Sequence, residues 1–233
     1  MSTLGRPRLH LRLATSTNDR AKALAARGAA HGTLVTAAEQ TAGHGRQGRA
    51  WHAPVDEALL MSLVLRSPPA LLPLSAAVAV ADAAGPDAQI KWPNDVLRDG
   101  RKVAGILVEA RPSDGWAVLG IGVNVAVSTF PAELRDIAGS LGRSPADVEP
   151  FLAELLGALE RRLAAPGTEV LEAWRSRDAL LGRTVSWPEG TGVARGLDGE
   201  GRLVVELPGG GRTTLGAGEV HLGAQAARSA MPG

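Results

Sequence analysis

Beyond about Leu181 the sequence changes character, and that change limits the fold more than any other feature. Five short β-like runs follow one another over residues 182–222: Thr184–Trp187, Gly192–Gly196, Arg202–Leu207, Arg212–Leu215 and Glu219–Leu222, with Gly-rich turns between them. Runs this short at this spacing predict a small all-β barrel. Upstream, strand-like and helix-like stretches are interspersed. Leu9–Leu13, Thr33–Ala38 and Ala58–Leu65 read as strands. Lys102–Ala110 and Trp116–Val125 are apolar runs joined by Arg-Pro-Ser-Asp-Gly, a hairpin-type connection. Ser16 or Thr17 can cap a helix that runs to about Arg27 and stops at Gly28. An Ala-rich helix over 70–84 ends at Gly85-Pro86. Residues 147–163 and 168–181 read as amphipathic helices, the first capped by Asp147. The expectation is an α/β (α+β) domain over 1–181, a small β-domain over 182–222 and a disordered tail over 223–233.

Composition excludes several functions. The chain has 233 residues, a formal net charge of +1 and no cysteine. Near neutrality gives no general affinity for nucleic acid. Without cysteine there are no disulfides, thiolate metal sites or Cys nucleophile, which fits the cytoplasm. The N-terminus lacks the apolar core of a signal peptide. The most apolar run, Leu71–Ala84, contains Pro73 and Asp82 and falls short of the roughly 20 residues that span a bilayer.

Residues 43–51 read Gly-His-Gly-Arg-Gln-Gly-Arg-Ala-Trp. Glycines let the backbone bend and approach a ligand closely. Arg46 and Arg49 supply guanidinium forks suited to carboxylate and phosphate. Trp51 offers a flat face and one N–H. Composition alone reads equally as a solvated basic loop. Rare residues strengthen the ligand reading. Of 25 Lys and Arg residues only Lys22, Lys91 and Lys102 are lysine, and the only asparagines are Asn18, Asn94 and Asn124. Five of the six fall in short motifs: Ser-Thr-Asn-Asp (16–19), Lys-Trp-Pro-Asn-Asp (91–95), Lys-Val-Ala-Gly-Ile-Leu-Val-Glu (102–109) and Gly-Ile-Gly-Val-Asn (120–124).

Each motif has two readings. Ser16-Thr17-Asn18 caps a helix, or offers hydroxyls and free N–H groups to a polar ligand. Gln40 is an exposed loop residue, or reads an amide edge. Asp95 closes a turn, acts on a nucleophile's proton, or helps position a metal. Lys102 is a solvated strand end, or bridges a carboxylate and a phosphate. There is no Ser-His-Asp arrangement and no phosphate-binding Gly-x-x-x-x-Gly-Lys-Ser/Thr. The set suits phosphate-linked activation of a carboxylate, in which positioning and charge supply most of the catalysis.

In this order the motifs resemble those of the biotin protein ligases: Ser-Thr-Asn (16–18), Gln40, Ala-Gly-x-Gly-Arg-x-Gly-Arg-x-Trp (42–51), Lys-Trp-Pro-Asn-Asp, Lys-Val-Ala-Gly-Ile-Leu-Val-Glu and Gly-x-Gly-x-Asn. The resemblance implies a mixed-sheet catalytic domain related to class II aminoacyl-tRNA synthetases, with an SH3-like C-terminal domain. It implies that biotin and Mg-ATP give biotinyl-5′-AMP, whose acyl group passes to one lysine of a biotin carboxyl carrier protein. Ser16, Thr17, Asn18, Gln40, Gly43, His44, Gly45, Arg46, Lys102, Gly105 and Ile106 would contact biotin. Arg46, Arg49, Trp51, Asn94, Lys102, Gly122 and Asn124 would contact ATP or the adenylate. Lys102, Arg46, Arg49 and Asp95 would carry the chemistry. No protein metal ligand is expected, since Mg2+ enters with ATP. A homodimer through the catalytic sheet fits the resemblance; no membrane partner is expected, and since no helix-turn-helix precedes the first strand, no DNA partner or repressor role is expected either.

The sequence departs from the family pattern at His44, where the loop usually carries Arg. Histidine makes no bidentate contact to an oxyanion. Biotinyl-adenylate is therefore expected to be held less tightly than in members with Arg, and more tightly at lower pH. His44→Arg is expected to slow its release. Competing readings are a lipoate or octanoate ligase and a catalytically inert biotin binder.

Overall fold

A computed structural model describes residues 4–216 and 220–222. The expected tail over 223–233, and Glu219 of the last expected strand, lie outside the described residues. A seven-stranded sheet has the order β1-β2-β3-β7-β6-β5-β4. Its strands are β1 (Arg8–Ala14), β2 (Leu34–Gln40), β3 (Ala58–Arg66), β4 (Gln89–Lys91), β5 (Asp95–Arg98), β6 (Arg101–Arg111) and β7 (Trp116–Asn124). β1 and β2 are parallel and every other neighbouring pair is antiparallel, so the sheet is mixed. A second, five-stranded antiparallel sheet has the order β11-β10-β9-β8-β12. It is built from β8 (Thr184–Trp187), β9 (Gly190–Leu197), β10 (Leu203–Glu206), β11 (Arg212–Leu215) and β12 (His221–Leu222).

The period-2 alternation of strands divides the large sheet into two faces. Leu59, Met61, Leu63, Leu119, Ile121 and Val123 point to one side and join the main core cluster. That side is covered by α2 (Leu72–Ala84) and α3 (Val148–Ala164), which pack on each other, with α4 (Gly167–Arg175) against α2. On the other side α1 (Thr17–Ala26) packs through Ala21 and Ala25 on Val35, Val64 and Val118. Beyond α1 that face carries Leu60 and then Ser62, Gly120 and Gly122, whose small size leaves room for a cavity. The main cluster continues through Leu180, Val185, Ala194 and Leu203, so both sheets share one apolar core.

Four expectations need correction. β4 and β5, a hairpin around Trp92-Pro93-Asn94, were read only as a motif; three- and four-residue strands are too short to show a period. The helix expected over 168–181 ends at Arg175. There the chain leaves helical geometry to pair with the edge of β4: Ile90 N–H donates to Arg177 C=O at 2.7 Å, and Ala179 N–H to Ile90 C=O at 3.0 Å. Asp147 does not cap α3; its carboxylate accepts from Ser144 N–H (2.8 Å) and Oγ (2.7 Å), closing the preceding turn. Thr33 precedes β2, which begins at Leu34.

Candidate active site

The free part of the α1 face floors a cavity of about 610 Å³. One end is polar and tightly wired. Ser16, just before α1, caps it weakly, accepting from Asp19 N–H at 3.5 Å. Thr17 donates from both N–H (2.6 Å) and Oγ1 (3.0 Å) to Gln40 Oε1, which fixes the Gln40 amide at the end of β2. Asn18, 5% exposed, accepts from Ser62 Oγ at 2.5 Å and donates to Glu109 Oε2 at 2.8 Å. Lys22 pairs with Glu109 at 2.7 Å, so Glu109 holds two of the rare residues. A side chain at Gly120 would collide with the Asn18 amide, which explains the glycine there.

The other end is cationic and apolar. Residues 43–51 fold as a miniature hairpin, closed by Trp51 N–H to Gly43 C=O at 2.8 Å and Gly45 N–H to Arg49 C=O at 2.7 Å. At its tip Gln47 takes a left-handed conformation with φ of 57°. The hairpin lays the Trp51 indole against Gly122 and Gly105, where a Cβ would stand 2.6 Å and 3.1 Å from the ring. The indole N–H is buried with no acceptor among the described residues. Lys102 Nζ lies 5.6 Å from the ring centroid and 2.6 Å from Asp95 Oδ1. Residues 137–139 clamp the Lys102 backbone on both sides: Lys102 N–H donates to Ile137 C=O (2.7 Å), and Gly139 N–H to Lys102 C=O (2.8 Å). Burial lowers the Arg46 pKa from its usual range, while Asp95 opposes and Arg49 adds to that shift.

The cavity thus gathers Ser16, Thr17, Asn18, Gln40, His44, Gly45, Arg46, Arg49 and Trp51 with Asn94, Asp95, Lys102, Gly105, Gly122 and Asn124. Asn94 and Asn124 line it while their Nδ2 atoms hold backbone carbonyls, of Ile106 (3.0 Å) and Gly139 (2.9 Å). His44 Nε2 stands 3.9 Å from Glu109 Oε2. One expected contact is placed differently. Gly43 is not on the cavity wall; it closes the neck of the hairpin, where any Cβ would meet Trp51 O at 2.6 Å. Ile106 is among the residues that line the cavity; it is 2% exposed and belongs to the helix-covered core.

Sequence reading missed three residues. Ser62 is the single polar side chain in Ala58–Leu65 and is fully buried, a signal that was available. Glu109 closes its motif and ties Asn18 to Lys22. Lys91 was singled out as a rare lysine but given no role, and it also lines the cavity. Val220, His221 and Leu222 bring the small sheet to the rim.

Fold and cavity define a ligase of the biotin/lipoate A/B protein ligase family, whose model matches residues 11–125. The biotin protein ligase C-terminal domain matches residues 180–223. The biotin–[acetyl-CoA-carboxylase] ligase of Mycobacterium tuberculosis is 36% identical, covering 89% of this chain and 86% of its own. The Paracoccus denitrificans enzyme of that name is 37% identical, covering 89% and 97%. The chain belongs to the biotin protein ligases. The structure of the Aquifex aeolicus ligase in complex with biotin and ATP superposes with a TM-score of 0.82 at 28% identity, covering 94% of this chain and all of that one.

Proposed function

We propose that this protein activates biotin with ATP and transfers the biotinyl group to one lysine of a biotin carboxyl carrier domain. A carboxylate oxygen of biotin attacks the α-phosphorus, the Pα–O–Pβ bond breaks and pyrophosphate leaves. The neutral carrier amine then attacks the acyl carbon, AMP leaves, and the amine gives up a proton. The observation that carries this reading is Lys102. Its backbone is clamped by residues 137–139, and its ammonium, 5.6 Å from the Trp51 ring, shares one cavity with the amide-and-hydroxyl end, so a carboxylate held from that end and an α-phosphate can meet at it.

On this reading Thr17, Asn18 and Gln40 hold the biotin ring system, with Ser16 and Gly45 beside them. Trp51 packs by adenine, and its buried N–H finds an acceptor on the nucleotide. Arg46 and Arg49 face phosphates, and Asn94, Gly122 and Asn124 line the nucleotide side. Asp95, released from Lys102 as phosphate takes its place, accepts the proton that the carrier lysine gives up. Magnesium would come with ATP and would offset charge on its phosphates. The described helices include none long and apolar enough to cross a membrane. A cytoplasmic location and a homodimer through the open β1 edge belong to the same reading, as does a boundary between catalytic and C-terminal domains at residue 181.

The test is the intact mass of a biotin carboxyl carrier domain after incubation with the protein, biotin and Mg-ATP. One biotinyl increment, dependent on ATP, lost in Lys102→Ala and absent with lipoate, is the expected result. A lipoyl increment would favour a lipoate ligase. Neither product nor adenylate would leave an inert binder.

A further inference from the structure

Lys91 lines the cavity, and its ammonium has no hydrogen bond or ion pair among the described residues. It ends β4, and its register partner across the turn is Asp95. Asp95 pairs in register with Gly105, and Gly105 with Gly122. Side chains opposite one another across successive strands share a face, so Lys91 lies on the floor row that Trp51 covers. Its natural partner is taken, since Asp95 is ion-paired with Lys102 at 2.6 Å. Burial, joined by the Lys102 and Arg49 charges, holds the Lys91 pKa below the usual lysine range against the pull of Asp95. A half-buried ammonium in this setting is short of an anion. Its place in the row fixes which one. The Asn18–Gln40 end lies over β2, β3 and β7, Lys102 follows on β6, and Lys91 is on β4, the last strand. A ligand that starts at Gln40 and passes Lys102 with its carboxylate and α-phosphate reaches Lys91 only with what lies beyond the α-phosphate.

We propose that Lys91 binds the β- and γ-phosphates of ATP and stabilises the departing pyrophosphate. This rests on the ligase reading and extends it to the leaving group. As the carboxylate oxygen bonds to the α-phosphorus, the electron pair of the breaking Pα–O–Pβ bond passes to the pyrophosphate oxygen. The Lys91 ammonium offsets that charge, and no proton changes hands. Biotinyl-AMP lacks these phosphates, so Lys91 acts in the first step and is idle in the second.

The experiment separates the steps in Lys91→Met and Lys91→Arg. Biotinyl-AMP formation from biotin and Mg-ATP is followed in a single turnover, with pyrophosphate exchange alongside. Transfer to the carrier domain is followed separately from preformed biotinyl-5′-AMP, and biotin binding by calorimetry reports on folding. Lys91→Met should lower kcat/KM for ATP in adenylate formation by about ten- to a hundred-fold, and weaken pyrophosphate in the reverse reaction to match. Transfer from preformed adenylate should stay within about twofold, and Lys91→Arg should recover most of the loss. The proposal is overturned if adenylate formation is unchanged, or if transfer from preformed adenylate falls equally, which would make Lys91 a proton acceptor for the carrier lysine. Wild-type protein that forms no biotinyl-AMP would instead remove the ligase reading beneath it.

Discussion

Glycine does unusual work on the cavity floor, and Gly122 shows it most directly. Its backbone is an ordinary strand, so an added methyl strains nothing by conformation. What a Cβ would meet is the Trp51 indole, at 2.6 Å from Cε2 and 2.9 Å from Nε1. The ring must then rise off the sheet into the space assigned to adenine. Gly122→Ala is expected to raise KM for ATP about tenfold or more, since displacements near 1 Å cost up to about 10² in rate. Biotin affinity should hold, because the Thr17, Asn18 and Ser62 hydrogen bonds are untouched. Titration with each ligand checks both; equal losses would mean that Trp51 is not at the nucleotide. The same glycine was legible in the sequence only as part of Gly-x-Gly-x-Asn. Its spacing told that small residues recur on one strand face, but not that a tryptophan from 71 residues upstream would lie there.

At the scale of elements, one carboxylate ties three of them. Asp82 of α2 receives Arg162 Nε from α3 at 2.7 Å and Arg177 Nη2, just past α4, at 2.9 Å. The three side chains are 18–27% exposed, so solvent screens the cluster little. Removing the shared anion strands two partly buried cations, and Asp82→Ala is expected to cost about 2–3 kcal/mol. Urea unfolding followed by tryptophan fluorescence would measure it. Biotin affinity should persist below the transition, because none of the three lines the cavity. In the sequence Asp82 was visible as a charge inside an apolar helix, but its partners lie 80 and 95 positions away and left no local mark. Long elements behaved differently. β3, β6 and β7 were plain from nine to eleven residues of apolar pattern, whereas β4 owes its existence to what flanks it. The end of α4 was likewise set from outside: Ser176–Leu180 continues an amphipathic pattern, yet the open edge of β4 outbids one more helical turn.

The whole molecule turns on that same segment. It leaves α4, covers the β4 edge at Asp178, and enters the small sheet at β8. Trp92, within the β4–β5 turn, donates from Nε1 to Gly201 C=O at 3.2 Å, so the turn that carries Lys91, Asn94 and Asp95 is braced by the second sheet. Asp178 sits at this joint with Oδ1 accepting from Leu180 N–H at 2.8 Å and Oδ2 buried with no partner in full hydrogen-bond geometry among the described residues. Burial raises its pKa, and the backbone N–H groups of Leu180 and Leu181 only partly oppose this. The raised value fixes the sign of the pH dependence. Between the ordinary carboxyl range of the unfolded chain and the higher folded value, the folded state binds more protons. Stability therefore falls as pH rises through that window and stays at the lower level above it. Asp178→Asn keeps an oxygen for Leu180 and removes the ionisation. The variant is expected to melt above wild type at neutral pH, with the gap closing as pH falls into the ordinary carboxyl range. Melting curves across that range decide the matter. A gap that persists in acid would assign the gain to packing, and a variant less stable at neutral pH would mean that the joint is held by the carboxylate's charge.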